Sequence, residues 1–134
     1  MPPKPLLALL LLFSLHTHAQ ATLPPLPHDD RTFTKVEQPA VYPGGDSAWT
    51  SALGKLFSDN ARALRHTQGE CQLQFIVHND GTVVDVQALT MQDSRLARIL
   101  IDFIKKGPNW IPAVQNGRPV HAYTRVTVTY PPES

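Results

Sequence analysis

Residues 71–89 read CQLQFIVHNDGTVVDVQAL, and no other stretch restricts the fold of this chain so tightly. Cys71, Leu73, Phe75 and Val77 alternate with Gln72, Gln74, Ile76 and His78. A period of two marks a strand with one buried face. Asn79-Asp80-Gly81 follows, and glycine accepts the positive φ that a tight hairpin turn requires. Thr82 to Leu89, rich in β-branched residues, then returns as a second strand. Whatever else the chain forms must cover one face of this hairpin.

The flanking segments suit that task. Arg31 to Tyr42 alternates weakly and predicts a peripheral first strand, which Pro39 confines to an edge or an ending. Pro43-Gly44-Gly45 is a turn. Asp46 or Ser47 is placed to cap a helix over 46–57, with Trp49, Ala52, Leu53, Leu56 and Phe57 on its buried face. Ser58-Asp59 is placed to start a further turn or short helix through Leu64 and Arg65. After the hairpin, Asp93-Ser94 caps a second helix. Its stripe of Leu96, Ile99, Leu100, Phe103 and Ile104 has clear helical spacing, and Gly107-Pro108 stops it. Trp110-Ile111-Pro112 reads as a rigid connection and Asn116-Gly117 as a turn. In the last strand, Val120, Ala122, Thr124, Val126, Val128 and Tyr130 share one face. The expected fold class is α+β: two layers, a mainly antiparallel sheet with two helices on one face.

Lys4 followed by the apolar run Leu6–Leu15 has the form of a signal peptide, with small residues setting cleavage after Ala19 or Ala21. The run is too short to span a bilayer, which takes about 20 apolar residues. The expected organisation is a leader over 1–21, a Pro-rich linker over 22–32 and one domain over 33–132, exported to the periplasm. An uncleaved anchor is the alternative, and only then would the chain contact a membrane. The formal charge is +1 over 134 residues and falls to zero once Lys4 leaves, so neither nucleic acid nor an anionic surface is an expected partner. Cys71 is the single cysteine. Its place in the alternation makes it a small core residue rather than a reactive thiol.

No catalytic constellation, cofactor motif or metal-ligand spacing is visible, and the expectation is a protein that is not an enzyme. His28, His66, His78 and His121 are read as surface residues, with a pairing in space left open. Gly44-Gly45 reads as a chain reversal rather than an anion site. Trp110 either closes the core or stacks on a sugar ring, as a peptidoglycan-binding module would require.

The motifs in their order resemble a known family. These are Val36-Glu37, Pro43-Gly44-Gly45 before a helix, the hairpin with Asp80-Gly81 and Val84-Asp85-Val86, Pro108-Asn109-Trp110-Ile111-Pro112-Ala113, and Gln115-Asn116-Gly117-Arg118-Pro119-Val120. Together, over Val36 to Tyr130, they resemble the C-terminal domain of TonB energy transducers in the form common in Bacteroidota. The chain departs from the family at Ser58–Leu64, where Tyr-Pro and small residues are usual. It also shows neither a membrane helix nor a long Pro-rich spacer, so the resemblance carries fold and binding mode, not energy transduction. It implies capture of an extended peptide, such as an outer-membrane receptor segment, by strand addition. Carried over by position, the contacting residues are Tyr123, Thr124, Arg125, Val126, Thr127, Val128 and Thr129. The alternatives are that this strand is central or covered by the N-terminal segment, or that exposed edges form a homodimer.

Overall fold

The alternation of Cys71–Val77 becomes strand β2 (Gly69–Val77), whose inward residues Cys71, Leu73, Phe75 and Val77 are all completely buried. The computed structural model containing it describes residues 30–132. The expected leader over 1–21, most of the expected linker, and His28 lie outside the described residues. Burial pushes the Cys71 thiol above its ordinary range, as a core thiol requires.

Strand β3 (Val83–Ala88) returns antiparallel to β2. The turn between them is closed by His78 N–H to Thr82 O (2.8 Å) and Gly81 N–H to His78 O (2.9 Å). Gly81 has φ +91°, and a Cβ there would lie 2.4 Å from the Trp110 carbonyl oxygen. Glycine is therefore required twice over, by conformation and by space. One feature of the hairpin has no simple sequence signal. Gln74 pairs with Gln87 and Ile76 with Val84, so Asp85 and Val86 together oppose Phe75. Asp85, at φ +54°, is part of this β-bulge.

Strand β5 (Arg118–Tyr130) lies on the other side of β2, antiparallel from Gly69–Tyr130 to Val77–Ala122. Strand β1 (Thr32–Phe33) pairs parallel with His121 and Ala122 of β5. The order across the sheet is β1-β5-β2-β3, and β4 (Ala113–Gln115) pairs with residues 118–120 of β5. Among the described residues the sheet is thus mixed, with five strands and one parallel pairing, and the α+β expectation stands.

Helix α2 (Arg95–Lys106) begins as its sequence predicts. Ser94 is the N-cap and its hydroxyl accepts from Ala97 N–H at 3.1 Å. Leu96, Leu100 and Ile104 are buried against the sheet. Helix α1 (Gly45–Asp59) corrects the expected cap. Neither Asp46 nor Ser47 caps it; the N-cap is Gly44 at φ +91°, without a side-chain hydrogen bond. Gly45 N–H bonds to Tyr42 O at 2.8 Å, so the Gly-Gly pair reverses the chain directly into the helix. The segment after α1 forms turns rather than a second helix, and drops Leu64 (1 % exposed) into the core.

The expected first strand over 31–42 is broken into pieces. β1 takes two residues, the chain bends at Thr34 and Lys35, and Gln38 and Val41 then bridge to Val114 and Ile111. Glu37 is tied to the β4–β5 turn in both directions. Its N–H donates to Gln115 Oε1 (2.9 Å) and its Oε1 accepts from Asn116 N–H (3.0 Å). The connection 111–115 is therefore the middle of a small ribbon rather than a simple link.

Candidate functional site

Strand β5 leaves backbone hydrogen-bonding capacity over along most of its length. Along 122–130 one of its sides is filled by β2. On the opposite side β1 pairs only at His121 and Ala122. No strand among the described residues pairs with that second side from Tyr123 to Tyr130. In an antiparallel pair, alternate residues aim both N–H and C=O away from the partner strand, so this edge carries a row of unpaired donors and acceptors. The structure thus brings Tyr123, Thr124, Arg125, Val126, Thr127, Val128 and Thr129 into one continuous edge. In the sheet order β5 lies between β1 and β2, and among the described residues the N-terminal segment pairs with it only up to Ala122.

The two faces of that edge differ in chemistry. The outward face carries Tyr123 (42 % exposed), Arg125, Thr127 and Thr129. Arg125 Nε donates to Gln74 Oε1 of β2 at 3.0 Å. Thr34, Gln74, Tyr123 and Arg125 line a surface cavity of about 540 Å³. The inward face runs from buried Ala122 through half-buried Thr124 and Val126 to buried Val128. Residues 124–127 of β5 line a groove of about 280 Å³ together with Ala40, Tyr42, Asp46, Trp49 and Trp110.

The aromatic part of that lining is rigid. Tyr42, Trp49 and Trp110 meet pairwise, edge to face or nearly so, with ring centroids 5.3–5.6 Å apart. Trp110 also packs on Phe75 at 5.0 Å and is only 6 % exposed. It closes the core, the first of the two roles open to it, and has almost no ring surface left to stack on a sugar.

The other sheet edge is built differently. Among the described residues β3 pairs with β2 alone, and its bulge at Asp85 interrupts a regular ladder and places a charge in the strand. Bulges and charges are the features that keep edge strands from pairing with other chains. The two edges are therefore not equivalent, and β5 is the longer and more regular.

The structure does bring two histidines together. His78 and His121 extend the β2–β5 register by one pair, with ring centroids 4.9 Å apart. Each has a job in the turn. His121 Nδ1 accepts from Asn79 N–H (3.1 Å), and His78 Nδ1 meets Thr82 Oγ1 (3.2 Å). Thr82 Oγ1 donates to Asp80 Oδ1 at 2.7 Å, so the Thr82 hydroxyl is left to accept from His78 Nδ1–H. Bonds from the Thr82 hydroxyl and from its N–H hold the Asp80 carboxyl below its ordinary range, with a smaller contribution from the nearby His78. The His121 Nδ1 lone pair is occupied by the Asn79 bond, so the pair as arranged is a turn lock rather than a ligand set. Among the described residues no group of three or more His, Cys, Asp or Glu is placed to hold a metal.

A two-layer α+β domain that offers an open strand edge beside an aromatic groove has the build of a protein-interaction domain. The family described as the Gram-negative bacterial TonB protein C-terminal matches residues 55–132, more than half of the chain, and the chain belongs to it. No curated protein and no solved structure matches the chain. Membership makes this a TonB-related envelope protein-interaction domain, of a non-enzymatic family associated with transport. Domains of the family are periplasmic and interact with outer-membrane receptors. No helix among the described residues is long and apolar enough to cross a membrane. The match begins inside α1; β1 and the Pro43-Gly44-Gly45 reversal lie ahead of it.

Proposed function

We propose that this chain is an exported periplasmic domain that binds an extended peptide by strand addition to β5, accessory to TonB-dependent transport. The observation that carries the proposal is the unpaired side of β5 from Tyr123 to Tyr130. An extended segment laid there gains main-chain hydrogen bonds, and the alternating faces of the edge give its side chains two different surroundings. Side chains pointing one way reach the Tyr42–Trp49–Trp110 groove; those pointing the other way reach Tyr123 and Arg125. A segment of an outer-membrane receptor is the natural partner class for a member of this family. The accessory role follows from reading 1–21 as a cleaved leader.

Titration of the exported chain with extended peptides from outer-membrane receptors, followed by amide chemical shifts, tests the proposal. The largest shifts are expected at Tyr123–Thr129, with smaller ones at Tyr42 and Trp49. Absence of binding by every receptor peptide, or shifts centred elsewhere, contradicts it. The alternative, a module that touches peptidoglycan through Trp110 and nearby polar groups, is not favoured by the burial of that ring.

A further inference from the structure

We propose that β1 is an end-stop for the β5 edge, closing it at Ala122 and setting the length and register of a strand docked beyond. The inference rests on the docking reading above and goes further, to the shape of the partner. β1 and β2 lie on opposite sides of β5, so β1 uses the same row of backbone groups that a docked strand needs. Strands on one edge share a lateral position about 4.8 Å from their neighbour, so a docked strand must lie end to end with β1.

β1 is only two residues long, but it is held from both sides. Phe33 packs against the core and carries the Arg31 guanidinium 4.9 Å from its ring centroid. Past the bend, Val36 packs against the same core. Glu37 is locked to the β4–β5 turn, and Gln38 and Val114 exchange two hydrogen bonds, of 3.1 and 2.9 Å. The chain therefore cannot slide along β5, and cannot peel away without unseating core contacts. Thr34, the first residue past β1, lines the 540 Å³ cavity with Tyr123 and Arg125, which marks where the open edge begins. At the other end no described strand pairs with this side of β5 as far as Tyr130.

The slot is thus blind at Tyr123 and open at Tyr130, with room for about seven extended residues, roughly 23 Å at 3.3 Å each. Its occupant is an extended segment that ends, or turns out to solvent, at the blind end. The remainder of the partner chain leaves past Tyr130.

The test uses a receptor peptide that binds in the titration above, shortened and lengthened one residue at a time from each end. Calorimetry reads affinity, and amide hydrogen exchange reads Thr32 and Phe33 in the complex. Affinity is expected to rise until about seven residues are paired, each added hydrogen bond giving roughly three- to tenfold. Further growth at the Tyr123 end is expected to add nothing, with β1 protection unchanged. In the Thr32→Pro/Phe33→Pro double variant, growth at that end is expected to gain affinity again. Of two successive strand residues one aims its N–H at β5, so two prolines break the pairing whichever it is. The hairpin amide spectrum of this variant checks that the fold survives. Wild-type affinity that keeps rising at the Tyr123 end, or β1 amides that lose protection on binding, overturns the end-stop while leaving docking intact. Protection of β5 through a second copy of the chain, with a dimer in sedimentation, also overturns it. Absence of binding by every peptide removes the docking reading itself, and the end-stop with it.

Discussion

Gly81 is the residue at which the hairpin, the helix layer and the groove are joined. Its carbonyl accepts from Trp110 N–H at 2.9 Å, and its missing side chain lets the Trp110 backbone approach. Gly81→Ala is expected to cost at least about 1–2 kcal/mol from the left-handed conformation alone, with the backbone clash added to it. Urea denaturation measures the loss; an unchanged midpoint would contradict this account of the turn. Asp80, one residue earlier, ties the turn through Thr82. Its folded pKa is lowered, so the stability it contributes is complete above its unfolded value near 4 and is lost as pH falls through the folded value. The difference in stability between wild type and Asp80→Asn should therefore be fully present at pH 5 and shrink below about pH 4. Denaturation midpoints of both proteins at pH 7 and pH 3 check this. Asn79-Asp80-Gly81 was legible because turn chemistry is local. Asp85 was not, because a bulge depends on how two strands match in length, and nothing in Val84-Asp85-Val86 states that by itself.

At the scale of elements, the two helices were legible to different degrees. α2 has a complete apolar stripe, a serine cap and a glycine stop, and each local signal agrees with the packing. Ser94→Ala is expected to destabilise the domain by about 1 kcal/mol, read by thermal or urea unfolding, through loss of the bond to Ala97 N–H. α1 was placed correctly but not its cap, because Gly44 reaches a left-handed φ that Asp46 and Ser47 were not needed to support. From sequence, β4 reads as a connection. Its partners are Arg118–Val120 and Gln38, and only the second, long-range contact with Glu37 and Gln38 separates a ribbon from a loop. From sequence, β1 falls within a longer strand over 31–42. The bend at Thr34 and Lys35 follows from the need to carry the chain from the β5 edge to β4.

The whole molecule is organised around an asymmetry between its two sheet edges. The alternation along Val120–Tyr130 identified the buried face of β5, and the structure keeps that face. Whether this strand was central, covered or open depends on the order of strands, which no local pattern encodes. The aromatic wall beside the edge was also only half legible. Trp49 reads as core and Trp110 as either core or sugar platform, and what could not be read is that they meet Tyr42 beside Thr124 and Val126. Trp110→Ala should cost about 3–5 kcal/mol, because it removes a ring that packs on Tyr42, Trp49 and Phe75 together. Calorimetric unfolding checks it, and a loss below about 1 kcal/mol would mean the ring is not the core residue its burial makes it.

The central claim is that the open side of β5 receives an extended peptide, and amide hydrogen exchange with and without a receptor peptide tests it most directly. In the free protein, alternate amides between Tyr123 and Tyr130 should exchange rapidly while their neighbours, bonded to β2, stay protected. With peptide bound, the fast set should become slow and the β3 edge should not change. Protection that appears along Val83–Ala88 instead, or alternate β5 amides that stay fast with peptide bound, would contradict the account.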